Sequence, residues 1–192
     1  MEIVFFDFET AGVLETQPNI QLAAIAVDDN WCETETFEKK IFFDESLADS
    51  KALEINHYDR AVWAKDAVTE AMALAHFDRF LCHHKCIEMV SKRTGNPYSV
   101  ARLAGHNAVT FDMPRLRKMY GERFLPAHPL VLDTLQLALW WHVGKSQPEN
   151  YQLSTLLHIF GIEIGGNAHD ALTDVRGAAS LARYLLNAAR KD

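Results

Sequence analysis

Apolar and polar positions alternate with a period of two near the N-terminus of this chain and settle into a helical period further on. Ile3 to Glu9 reads as a buried strand, Ile20 to Val27 as a second after a turn around Pro18-Asn19, and Thr34 to Phe43 as a weaker third. Three strands with short joins predict an antiparallel meander in which the first strand is central. From Ala52 the pattern turns helical. One long helix is expected over 66–92, carrying Val68, Met72, Ala75, Phe77, Phe80 and Leu81 and stopped by Thr94-Gly95-Asn96-Pro97. A short strand from Val100 to Gly105, a helix opened by Asp112-Met113-Pro114, and a last strand from Leu130 to Leu132 follow. Gln152 to Phe160 ends at Gly161, and an amphipathic helix is expected from about Ala168 to Ala189. Strand and helix alternate in the later half, so the expected class is a mixed α/β sheet with helices packed on it.

Two residues break the apolar pattern of the first strand. Asp7 and Glu9 are two positions apart, and alternation puts both carboxylates on one face. Like charges side by side on a buried strand are costly unless a cation or a proton is shared between them. A bound metal is the simplest remedy. Further acids and a base stand in two distant segments: Asp112 after Gly105-His106-Asn107, and His169 with Asp174 at the start of the last helix. Each has an ordinary alternative: Asp112 as a helix cap, Asp174 as a solvent-facing helix residue, His169 as a locally bonded helix-start residue. Asp170 competes with Asp174 because it lies one helical turn away.

Composition narrows the class. The 192 residues, 48% of them hydrophobic, suffice for one sizeable core, so one domain over 1–192 is expected. No apolar run is long enough to span a bilayer and the N-terminus does not read as a signal peptide, so a soluble, cytoplasmic protein without a membrane partner is expected. Three cysteines, Cys32, Cys82 and Cys86, do not make a paired disulfide framework. A net charge of −7 means that a nucleic-acid partner is met locally and not by whole-molecule attraction. The basic groups at Lys92-Arg93, at Arg115, Arg117 and Lys118, and at Arg190-Lys191 read as solvated faces. Cys82-His83-His84-Lys85-Cys86 invites a zinc reading, outweighed by its helical spacing and the want of a second ligand pair.

Taken together, the three acidic segments resemble the DnaQ-like 3′-to-5′ exonucleases of the ribonuclease H-like superfamily, in the DEDDh branch. The first motif is Asp7-Phe8-Glu9-Thr10-Ala11-Gly12, the second Gly105-His106-Asn107 with Phe111-Asp112, and the third His169 to Asp174. Supporting stretches are Gln21-Leu22-Ala23-Ala24-Ile25, Asp133-Thr134-Leu135, and Leu156 to Phe160-Gly161-Ile162, so the resemblance spans nearly the whole chain. The motif spacing favours Asp174 over Asp170. Two departures stand out. Ile55-Asn56-His57-Tyr58 lacks the glycine many relatives carry in a loop near the terminal nucleotide, and the stretch 82–102 is longer than compact relatives need and is expected to shape access to the site.

The resemblance implies a ribonuclease H-like five-stranded sheet, an antiparallel meander plus parallel strands, flanked by helices. It also implies hydrolysis of phosphodiester bonds at single-stranded DNA or RNA 3′ ends with release of 5′-mononucleotides. Two divalent cations would serve this chemistry, and four hard oxygen donors select Mg²⁺ or Mn²⁺. By resemblance Asp7, Glu9 and Asp174 hold the cation that activates water, Asp7 bridges to the second, and Asp112 acts through bound waters. His169, with an ordinary pKa of about 6.5, suits the general base. Phe8, Thr10, Asn107 and Phe111 are candidate substrate neighbours, Phe8 as a stacking surface. The alternative is a catalytically idle nucleic-acid-binding or partner subunit on the same fold. The negative charge predicts distributive degradation or a recruiting protein partner, and a homo-oligomer stays open.

Overall fold

The computed structural model describes residues 1–165 and 170–190. The chain begins with β1 (Ile3–Thr10), β2 (Asn19–Val27) and β3 (Glu33–Lys40), then α1 (Ser50–Ile55), α2 (Arg60–Asp66) and α3 (Glu70–His83). β4 (Lys85–Val90), β5 (Pro97–Ala101) and β6 (Leu103–Gly105) follow, then α4 (Asp112–Tyr120), β7 (Leu132–Asp133), α5 (Thr134–Trp141), α6 (Leu153–Ile159) and α7 (Ala171–Ala189). Among the described residues the main sheet has five strands in the order β3-β2-β1-β6-β7. β1, β2 and β3 form the expected antiparallel meander, while β6 runs parallel to β1 and β7 parallel to β6. The sheet is therefore mixed, with β1 at its centre.

Alternation along β1 sends its side chains to two different cores. Val4, Phe6 and Phe8 pack with Phe77 and Phe80 of α3 and Met113 and Leu116 of α4. Phe5 faces the other way, onto Val175, Ala178, Ala179 and Ala182 of α7. That row of small residues lets a nineteen-residue helix lie close against the sheet. Asp170 caps it, its carboxylate accepting from Thr173 N at 3.3 Å. α1 and α2 close the end of the meander, where Trp63 Nε1 donates to Ile20 O at 3.1 Å.

Where one helix is expected over 66–92, the chain instead forms α3 and then a β4–β5 hairpin. The helix stops because His84, only 6% exposed, is held at Nδ1 by Glu2 (2.9 Å) and at Nε2 by Glu35 (3.1 Å). These partners are distant in sequence. Ile87 and Met89 then alternate against β5, and Thr94-Gly95-Asn96 is the hairpin turn, with Gly95 at φ 72°. The hairpin departs from Arg102 at the start of β6, beside Val4, whereas Asp7 and Glu9 lie toward the other end of β1. The expectation that this stretch shapes access to the acidic residues is thus corrected: it projects from the opposite end of the sheet. His84 is spent on two carboxylates, and Cys32, Cys82 and Cys86 are exposed free thiols. No described helix is long and apolar enough to cross a membrane.

Candidate active site

Asp7 and Glu9 emerge on the α7 face of β1, and Asp174 meets them from the first turn of that helix. One carboxylate oxygen from each of the three lies within 4.8 Å of the others. Glu9 is buried, while Asp7 and Asp174 are half-buried. The strand register slips between Glu9 and Thr10, where β2 carries an extra residue, so the ladder bulges beside the cluster. Burial raises the Asp7 carboxyl to about 7, aided by repulsion from Asp174 and Asp170. Burial and the charges of Asp7 and Asp174 push Glu9 to about 9. Such a group holds protons at neutral pH unless a cation relieves the repulsion. Three hard oxygen donors at this spacing fit a divalent ion.

Asp112 arrives from the other side of the sheet. Val4 N donates to Arg102 O, so the even-numbered N–H groups of β1 point toward β6, but β6 ends at Gly105. The free N–H of Phe8 is taken by Asp112 Oδ1 at 3.1 Å. The carboxylate takes up the strand's hydrogen bonding beyond the end of β6. It does not cap α4, whose N-terminal flank Phe111 makes no side-chain cap bond. Asp112 is 1% exposed, and its pKa stands well above the usual range through burial and the charge of Asp7, opposed by the Phe8 N–H and the Arg115 guanidinium.

The loop carrying Asp112 is fixed by a residue read from sequence only as supporting text. Asp133 accepts from Asn107 N (2.9 Å), Val109 N (3.0 Å) and Leu135 N (2.9 Å). Its only advance signal is an acid at a helix start. His106 braces the same loop, with Nδ1 at 2.8 Å from Thr134 Oγ1 and Nε2 at 2.9 Å from Tyr151 O, and burial lowers its pKa. Gly105 must be glycine, because a Cβ there would stand 2.7 Å from Ala108 Cβ and 2.9 Å from Phe6 O. At the α7 end, Gln21 sits opposite Glu9 and donates to Asp170 (3.1 Å) and Glu38 (2.8 Å). Asp170 thereby serves as the helix cap, and Asp174 is the acid that joins the cluster.

The remaining candidates divide. Phe8 is corrected as a stacking surface: its ring is 3% exposed and packs edge-on to Phe6 in the core, leaving its backbone N–H as the part at the site. Thr10 is buried and its hydroxyl closes the following turn onto Gly12 O at 2.7 Å. Asn107, at φ 59°, and Phe111 are half-buried at the loop before α4. Arg115 is no solvated face: it is 5% exposed, with its guanidinium 4.5 Å from the Phe111 ring centre. His169 lies outside the described residues.

No protein-family model matches the chain, and no curated protein matches it. Solved structures do. Exonuclease I from Methylocaldum szegediense superposes with a TM-score of 0.76 at 18% identity, covering 99% of this chain and 41% of that one. The zinc-bound E. coli exonuclease I complex with single-stranded DNA gives 0.76 at 21% identity, with the same coverage. An ExoI/SSB-Ct complex gives 0.72 at 19% identity, covering 99% of this chain and 42% of that one. This chain thus spans about two-fifths of the length of those proteins and has the ribonuclease H-like fold found in exonuclease I.

Proposed function

We propose that this chain is a metal-dependent 3′-to-5′ exonuclease that hydrolyses phosphodiester bonds and releases 5′-mononucleotides. The observation that carries the reading is the convergence of Asp7, Glu9 and Asp174 within 4.8 Å, with Asp112 on the next free N–H of the same strand. It is supported by the likeness to exonuclease I, whose structures include a zinc-bound complex with single-stranded DNA. Mg²⁺ or Mn²⁺ bound by these acids would supply Lewis acidity and a water of lowered pKa. Asp7, Glu9 and Asp174 hold and orient that charge. Asp112 keeps its carboxylate aimed from the opposite side through the Phe8 N–H. His169 takes the proton of the attacking water, the role the motif gives it. Asn107 and Phe111 border the path of the strand.

The substrate is a single-stranded 3′ end, DNA or RNA. The net charge of −7 favours distributive action by these 192 residues, or recruitment by a protein partner. The test is a panel of 3′-labelled single-stranded and duplex DNA and RNA with Mg²⁺ or Mn²⁺, with and without EDTA. Cleavage from the 3′ end that is lost with EDTA and falls at least ~10³-fold in Asp7→Ala and Asp174→Ala is expected. Tight binding of a strand without cleavage would instead identify an idle binding subunit.

A further inference from the structure

α4 carries Asp112 at its first position and Arg115 one turn later on the same helix. The Arg115 side chain turns back under the connection between β1 and β2. Its Nη1 donates to Gln17 O at 3.2 Å and Asn19 Oδ1 at 3.4 Å, and its Nη2 to Gly12 O at 3.4 Å, Val13 O at 3.4 Å and Leu14 O at 3.1 Å. Lys118, a turn further on, donates to Glu15 O at 2.8 Å. The carbonyls of this turn face α4, and the side chains of Val13 and Leu14, 83% and 61% exposed, face solvent. Burying a guanidinium is costly unless its fork is filled, and here one planar group satisfies acceptors at both ends of the turn. Burial lowers the pKa of Arg115 without threatening its charge.

We propose that Arg115 is a positioning residue for the carboxylate site. The two pieces it joins are those that carry the acids: Gly12 follows Glu9 by three residues, and Arg115 follows Asp112 by three. Locking the turn to the helix therefore fixes how far Asp112 stands from Asp7 and Glu9. Outer contacts that orient metal-holding carboxylates affect affinity for the ion more than the chemistry that follows. This inference rests on the metal-dependent reading of the site.

The test compares wild type, Arg115→Lys and Lys118→Ala. Arg115→Lys keeps the charge and loses the fork, and Lys118→Ala loosens the middle of the same turn at Glu15. Mn²⁺ affinity is measured by titration calorimetry, and the Mn²⁺ dependence of cleavage of a 3′-labelled oligonucleotide is followed beside it. Glu-specific proteolysis at Glu15 reports whether the turn has opened. Arg115→Lys is expected to weaken Mn²⁺ about tenfold, with kcat at saturating Mn²⁺ within about threefold of wild type. Lys118→Ala is expected to shift affinity in the same direction by about twofold. Wild-type Mn²⁺ affinity in Arg115→Lys, with only a lower melting temperature, overturns the proposal and leaves Arg115 a plain stabilising residue. If Arg115→Lys does not fold, Lys118→Ala decides: an opened turn with unchanged Mn²⁺ affinity overturns it. A wild-type protein that binds no Mn²⁺ and cleaves nothing defeats the reading of the site itself, whereas an active wild type with unaltered variants defeats this inference alone.

Discussion

Asp7→Asn removes one charge from the carboxylate cluster while keeping the side chain's shape, and its effect on stability depends on whether metal is present. The folded protein holds Asp7 at about 7 against an ordinary 3.8, and Glu9 at about 9 against 4.5. A carboxyl raised in the folded state keeps a proton that the unfolded chain has released, so stability falls as pH climbs from about 4 toward 9. At about 1.4 kcal/mol per tenfold change in acidity, the Asp7 displacement corresponds to about 4 kcal/mol at pH 8. Burial is the first cause at both groups, and because the two titrate together Asp7→Asn is expected to recover about half of the Asp7 cost, roughly 2 kcal/mol. For a chain of this size that is a rise of about 5 °C in melting temperature, measured by calorimetry in EDTA at pH 8 and absent at pH 4. Mn²⁺ at a hundred times its Kd stabilises the wild type by about 2.7 kcal/mol and the variant far less, which closes or reverses the gap. Asp7→Asn melting below the wild type in EDTA, with Mn²⁺ raising both equally, would refute the argument.

Three further outcomes follow from the packing. Gly105→Ala forces a methyl group against Phe6 O and Ala108, and should cost about 2–3 kcal/mol in urea unfolding. Asp133→Ala strips the carboxylate from the Asn107, Val109 and Leu135 N–H groups; it should cost about 2 kcal/mol and speed amide exchange at 107–111. Replacing 87–98 by a short Gly-Ser turn removes the outer hairpin at the end of the sheet away from the acids, so cleavage of a short oligonucleotide should stay within about twofold of wild type.

The first strand was legible because its anomaly is local: period two puts Asp7 and Glu9 on one face, and no other contact is needed to see that they repel. The meander was legible from three apolar strands with short joins, and Asp174 only from the motif spacing that the resemblance supplies. What escaped depends on residues far apart. The hairpin was hidden because α3 ends where Glu2 and Glu35, distant in sequence, hold both ring nitrogens of His84. Arg115 looked like a surface cation and Asp133 like supporting text because their acceptors and donors sit in loops 96–103 and 24–26 residues away. Phe8, next to two acids in the sequence, points into the opposite core because of the same alternation that aligns its neighbours.

The bond from Phe8 N to Asp112 has a consequence for how this site could ever fall silent. Asp112, on the proposed reading an acid of the reaction centre, also accepts the Phe8 N–H beyond the end of β6, so a small residue there would strand a buried amide. Asparagine would keep the acceptor and lose the charge. On the proposed reading, a relative that abandons hydrolysis but retains its shape is therefore expected to pass through Asp112→Asn.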